Sequence, residues 1–142
     1  MNTKYMPTLS SKGWVDSPQD KLSFLINYYI LSDAEQSLIY RGSVINLPTT
    51  YYKYINEPEQ MAIAVKSDLE TLLTRHFDVV EVRTYAKELD NAKKYGIGIF
   101  AAIVENGVKY TAYNAVIMTN NNSRKIINFN NYGDYASYLE TL

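Results

Sequence analysis

The chain has 142 residues, with 14 basic and 15 acidic side chains and no cysteine. That length suits one domain with its own core, and the charge balance argues against a general nucleic-acid binder. The missing thiols exclude disulfides, thiolate catalysis and cysteine-based zinc sites, and neither a membrane span nor a secretory leader is expected from the apolar runs.

Residues 1–15 are expected to form an extended N-terminal arm, broken by Pro7 and Gly13 and anchored by Trp14 and Val15. A single α+β domain over residues 16–142 is expected to follow. Its first helix starts at Asp16–Ser17–Pro18, a cap followed by proline in the first turn, with Asp20 completing a near capping box. Leu22, Leu25, Ile26 and Tyr29 form its stripe, widened by Phe24, Tyr28 and Leu31. A short helix from Ala34 to Tyr40 is predicted next, closed at Gly42.

The segment SVINLPTTYYKYINEP is ambiguous. Pro48 favours an extended Leu47 yet can open a short helix carrying Tyr51, Tyr52, Tyr54 and Ile55. Helix is preferred over strand. From Pro58 to His76 the spacing predicts a long amphipathic helix, capped by Asn56 or Glu57. Ala62, Val65, Leu69, Leu72 and His76 form its buried stripe, with Met61 and Leu73 beside them; Gln60, Lys66, Ser67, Glu70 and Thr74 face outward.

The period then changes to two. Val79–Lys87 reads as a strand with Val80, Val82, Thr84 and Ala86 on one face and Glu81, Arg83, Tyr85 and Lys87 on the other. After a polar loop at 88–95, the run GIGIFAAIV at 96–104 reads as a strand buried on both faces. Asn106–Gly107 marks a two-residue hairpin into Val108–Thr119. A last strand, Lys125–Asn130, leads to a terminal helix with Tyr135, Tyr138, Leu139 and Leu142 on one side. The expected fold is therefore α+β: a helical N-terminal half and a long amphipathic helix packed on a small antiparallel β-meander.

Signals for chemistry are sparse. His76 is the one histidine and sits at a helix end facing the stripe, where a structural or capping role is expected. Gly96–Ile97–Gly98 matches the start of a dinucleotide fingerprint but lacks its third glycine and lies in a strand; close packing or a bulge explains it better. Asp33 with Glu35, and Glu57 with Glu59, lie at helix starts, where acids serve caps and dipoles. Glu81 and Arg83 share a strand face, either solvated or turned to a partner. No catalytic residue, cofactor or metal is expected.

Tyrosine is abundant: 14 Tyr stand against 4 Phe and one Trp, and Asn and Ile are also frequent. AT-rich coding explains this, and so does contact surface, since Tyr offers a broad apolar body with a polar tip. On the second reading Trp14, Tyr51, Tyr52, Tyr54, Tyr135 and Tyr138 are the candidate interface residues.

The helix segment SDLETLLTRHFDVVEV, with its Leu69–Leu73 spacing, followed by YGIGIFAAIVENGVKYTAYNAVI, resembles small virion structural proteins of tailed bacteriophages. Baseplate and neck proteins such as sheath initiators, wedge components and tail-completion proteins share this layout, and the likeness covers roughly residues 58–130. It implies a non-enzymatic component of a phage particle, made in the bacterial host cytoplasm and assembled in the virion. Its partners would be other virion proteins, in several copies within a symmetric assembly, with no nucleic-acid specificity and no membrane. The alternative expectation is a small intracellular phage or bacterial protein that binds and modulates a host protein.

Overall fold

The structure is a computed structural model, and it describes residues 6–7, 14–15, 17–32, 39–40, 43–44, 46–89, 94–119 and 123–142. Its centre is a four-stranded antiparallel meander in sequence order: β5 (Val79–Leu89), β6 (Lys94–Glu105), β7 (Val108–Met118) and β8 (Arg124–Phe129). Ahead of it come the ribbon strands β1 (Met6–Pro7), β2 (Trp14–Val15), β3 (Ile39–Tyr40) and β4 (Ser43–Val44), and the helices α1 (Pro18–Leu31), α2 (Leu47–Lys53) and α3 (Pro58–Leu73). Helix α4 (Tyr132–Thr141) follows it. The fold is α+β.

The hairpin between β6 and β7 sets the register of the sheet. Asn106 and Gly107 have φ of 55° and 78°, so both turn residues are left-handed, as a type I′ turn requires. Glu105 then pairs with Val108, Phe100 with Tyr113 and Ile97 with Val116. Alternation sends Ile97, Ile99, Ala101 and Ile103 to one face of the sheet, where they join Leu22, Ile26 and Tyr29 of α1, and Val65, Leu69 and Leu72 of α3, in a common core.

Gly96 and Gly98 point to the other face. A Cβ on Gly98 would lie 2.8 Å from Leu139 Cδ2 and 2.9 Å from Tyr135 Oη, and one on Gly96 would lie 2.8 Å from Leu142 Cδ1. These glycines therefore let α4 lie close on the sheet. Helix α4 is capped by Asn131, whose Oδ1 accepts from the Asp134 backbone N–H at 2.8 Å.

The expected helical N-terminal half is corrected. Ribbon β3–β4 interrupts it, with Ile39 paired to Val44 and Tyr40 to Ser43; ribbon β1–β2, with Met6 paired to Val15 and Pro7 to Trp14, lies in the stretch expected to be extended. Ile39, Tyr40 and Val44 are strong strand formers, which outweighs the helical spacing read there. Arg41, Gly42 and the 34–38 stretch of the predicted short helix lie outside the described residues, as do Asp16, Asp33 and Glu35.

The long amphipathic helix is also corrected. Helix α3 has 16 residues and stops at Leu73, not His76. Thr74 Oγ1 donates back to Glu70 O at 2.7 Å, while the His76 and Phe77 backbone N–H groups both converge on Leu73 O. That tightened last turn ends the helix and leaves His76 half-buried rather than on the stripe. Leu31 departs from the α1 stripe and is 56% exposed, because Ile30 takes the inward position. Leu47 is helical despite preceding Pro48; Asn46 Oδ1 accepts from Thr49 N–H at 2.8 Å and the Leu47 side chain is buried, which together draw the start of α2 back to it. The predicted loop at 88–95 shrinks, since Glu88 pairs with Tyr95 and Leu89 with Lys94.

Two outcomes test this architecture. Leu69→Ala, at a fully buried position, is expected to lower stability by about 2–5 kcal/mol in urea unfolding. Gly107→Val forces a β-branched residue to φ near 78° and is expected to cost about 1–3 kcal/mol; an unchanged denaturation midpoint would contradict the turn geometry.

Candidate functional site: an aromatic groove on the outer sheet face

The hairpin register puts Phe100 of β6 beside Tyr113 of β7 and opposite Arg83 of β5, all on the face that α4 partly covers. Helix α4 leaves one end of that face open. There Arg83, Phe100, Tyr113, Tyr132 and Lys109 line a groove of about 400 Å³. Its rings form a connected set: Tyr113 lies 5.3 Å from Phe100, 5.7 Å from Tyr135 and 6.2 Å from Tyr132, centroid to centroid. Such contacts hold the rings in fixed orientations, so the surface is pre-shaped.

Charge sits at one wall. Arg83 Nη2 lies 2.7 Å from Glu81 Oε2, and the Arg83 Cζ stands 5.8 Å from the Phe100 ring centre. The Arg83 side chain is 76% exposed, so this pair adds little to stability, and its guanidinium is available to a partner. The Glu81–Arg83 reading of the sequence thus resolves into a salt bridge along one strand. Burial, with Tyr132 beside it, pushes the Tyr135 hydroxyl up to about 12, so it stays a neutral donor at physiological pH.

The six aromatic residues expected at an interface separate into groups. Tyr135 is buried against Tyr113 and Phe129, and Tyr138 is half-buried 5.4 Å from Phe129, so both support the groove from below α4. Tyr51 is fully buried, edge-on to Tyr95 at 5.5 Å, and belongs to the core. Tyr51 and Tyr135, expected as interface residues, are instead buried within the chain, because α2 and α4 turn them inward. Tyr52 is 47% exposed, and Tyr54 is half-buried beneath the Lys53 ammonium; both lie on α2 and its C-cap, among the helices of the inner face. The Trp14 backbone pairs with Pro7 in the first ribbon.

Phe100, Tyr113, Tyr132 and Lys109 escaped the sequence reading. A signal existed: an Asn106–Gly107 hairpin makes 105 oppose 108, and counting back pairs Phe100 with Tyr113.

A second polar feature lies across the sheet. Asp68 of α3 accepts from Tyr29 Oη at 2.7 Å and from Thr50 Oγ1, tying together three helices. Burial holds its carboxyl above the ordinary 3.8, against the opposing effect of the two hydroxyl donors and Lys53. Tyr29 is fully buried, and its hydroxyl is held well above its ordinary value by burial and then by the Asp68 charge. This arrangement reads as a structural clasp. Among the described residues no group of three His, Asp or Glu side chains is positioned to hold a metal. Among the described residues no helix is long and apolar enough to cross a membrane.

Comparison with known protein families, curated proteins and solved structures finds no match to this chain.

The clasp makes a pH-dependent prediction. Tyr29→Phe removes one donor from a charged acceptor and is expected to cost about 1.5–3 kcal/mol at neutral pH. The raised carboxyl binds its proton more tightly in the folded chain, so its charge weakens the fold as pH rises through the raised range. The lost hydroxyl stabilises that charged form more than the protonated one. The cost of Tyr29→Phe is therefore expected to shrink as pH falls through the carboxylate range, measured as paired unfolding curves.

Proposed function

We propose that this chain is a non-enzymatic assembly protein that binds a partner polypeptide through the outer-face groove. The observation that carries this reading is the set of fixed rings at Phe100, Tyr113 and Tyr132 beside the exposed Arg83. Aromatic anchors flanked by arginine are the composition of binding hot spots. Tyr132 is 62% exposed and Tyr85 is 40% exposed, so two large rings await cover.

The particle setting rests on the resemblance of the sequence of residues 58–130 to small virion proteins of tailed bacteriophages. On this reading the partners are other virion proteins at the tail, baseplate or neck, met in several copies and carried in the virion. A second reading is a small phage or bacterial protein that modulates a host protein. It is favoured by the inward turn of Tyr51 and Tyr135, which leaves less exposed aromatic surface than a many-sided assembly component would present.

Quantitative mass spectrometry of purified phage particles from the source tests the setting; a fixed copy number is expected, and absence from the particle supports the second reading. A photo-reactive residue at position 132 is expected to cross-link the chain to its partner. Tyr132→Ala, at an exposed position, is expected to leave the melting temperature within a few degrees and weaken partner binding at least about tenfold, or 1.4 kcal/mol. Unchanged binding by both Tyr132→Ala and Arg83→Ala would reject the groove.

A further inference from the structure

On the same sheet, at the β8 side, lies a cleft unlike the groove. Strand β8 ends at Phe129, opposite Tyr113, while β7 starts five residues earlier, at Val108. The edge of β7 beyond that point is bordered by the first turns of α1: Gln19 Nε2 donates to Thr111 O at 2.9 Å. The notch so formed has a volume of about 250 Å³. Carboxamides dominate its lining: Gln19, Asn27, Asn114, Asn128 and Asn130 all reach it. No lysine, arginine, histidine, aspartate or glutamate does.

Its hydrogen bonding is incomplete. Asn114 Nδ2 donates to Asn128 Oδ1, which holds the two side chains in register across β7 and β8. The Oδ1 of Asn114 nevertheless accepts nothing, although the residue is only 5% exposed. The Oδ1 of Asn27, on α1, is likewise buried and without a partner. A buried acceptor left unmet costs about 1–3 kcal/mol, and native interiors rarely tolerate two in one place. Donors from outside the protein, water or the hydroxyl groups of a ligand, complete the notch.

We propose that this notch is a binding site for a neutral carbohydrate, one sugar ring in size. Hydroxyl groups donate and accept at once, and so do carboxamides, so the two sets of groups complete each other's hydrogen bonding. An ionic ligand would lose its hydration with no opposite charge in the lining to replace it, which disfavours nucleotides, phosphosugars and amino acids. The volume lies just under the usual range for small-molecule sites, which fits a monosaccharide and excludes larger rigid ligands. The site stands apart from the partner groove, sharing Tyr113 alone with it.

The test is side-chain amide NMR of the full chain titrated with glucose, galactose, mannose and N-acetylglucosamine, with uridine and adenosine as neutral aromatic controls. At least one saccharide is expected to shift the Asn27 and Asn114 amide signals, saturating in the millimolar range that a single solvent-open ring commonly reaches. Asn114→Leu removes the buried acceptor at nearly constant volume and is expected to weaken that binding at least tenfold. Should Asn114→Leu fail to fold, Asn27→Ala on the helix serves the same purpose, with the same expected loss. Tyr132→Ala is expected to leave saccharide binding unchanged. Shifts from the nucleosides alone, no shift from any saccharide, or binding that survives both Asn27→Ala and a folded Asn114→Leu would overturn the proposal.

Discussion

From Tyr95 to Ile103 the β6 strand, Phe100 apart, has almost no solvent on either side, and the rest of the described chain is arranged around that fact. A strand buried on both faces needs two covers. Its Ile97, Ile99 and Ile103 side chains meet α1 and α3, which are long enough to carry full apolar stripes. Gly96 and Gly98 on the opposite face remove two side chains, and the gap is filled by Tyr135 and Leu139 of α4 and by Leu142 just after it. A ten-residue helix can hold its place there because the sheet yields space to it.

That same economy creates the groove. Helix α4 covers the glycine end of β6 and leaves the Phe100 end open, so Phe100 and Tyr113 stay partly exposed while their neighbours vanish beneath the helix. The ring of Tyr135 joins the two regions: it is buried by the sheet and in turn props Tyr113 and Tyr132. A partner settling on the open end would meet rings already fixed by packing, which lowers the ordering cost of association. The carboxamide notch arises from a comparable mismatch of lengths, since β8 stops short of the end of β7 and α1 borders the gap.

The inner face is fastened by polar groups as well as by apolar contact. Asp68 links α3 to α1 through Tyr29 and to α2 through Thr50, and Arg124 of β8 donates to the carbonyls of Ile30 and Ser32 at the end of α1. Lys21 is buried among the helices with its ammonium 5.2 Å from the Phe77 ring centre. Tyr95 receives the Asn56 N–H at 2.6 Å, which fixes the left-handed turn between α2 and α3. Each of these joins elements distant in the chain and gives the core a single arrangement rather than a merely apolar one.

Local chemistry was enough to read α1, the apolar β6 and the Asn106–Gly107 hairpin from residue order, because caps, period and turn residues act over a few positions. The cap at Ser17 and the close-packing role of Gly96 and Gly98 were legible for the same reason. The end of α3 at Leu73, the strand pairing of Ile39–Tyr40 and the burial of Tyr51 were not, since each depends on which distant surface competes for the segment. The groove and the notch belong wholly to tertiary structure. Phe100, Tyr113, Tyr132 and Arg83 come from three strands and a helix, and Asn27, Asn114 and Asn128 from a helix and two strands. Residue order determined which faces would be apolar; only the packing of elements of unequal length decided where those faces would remain uncovered.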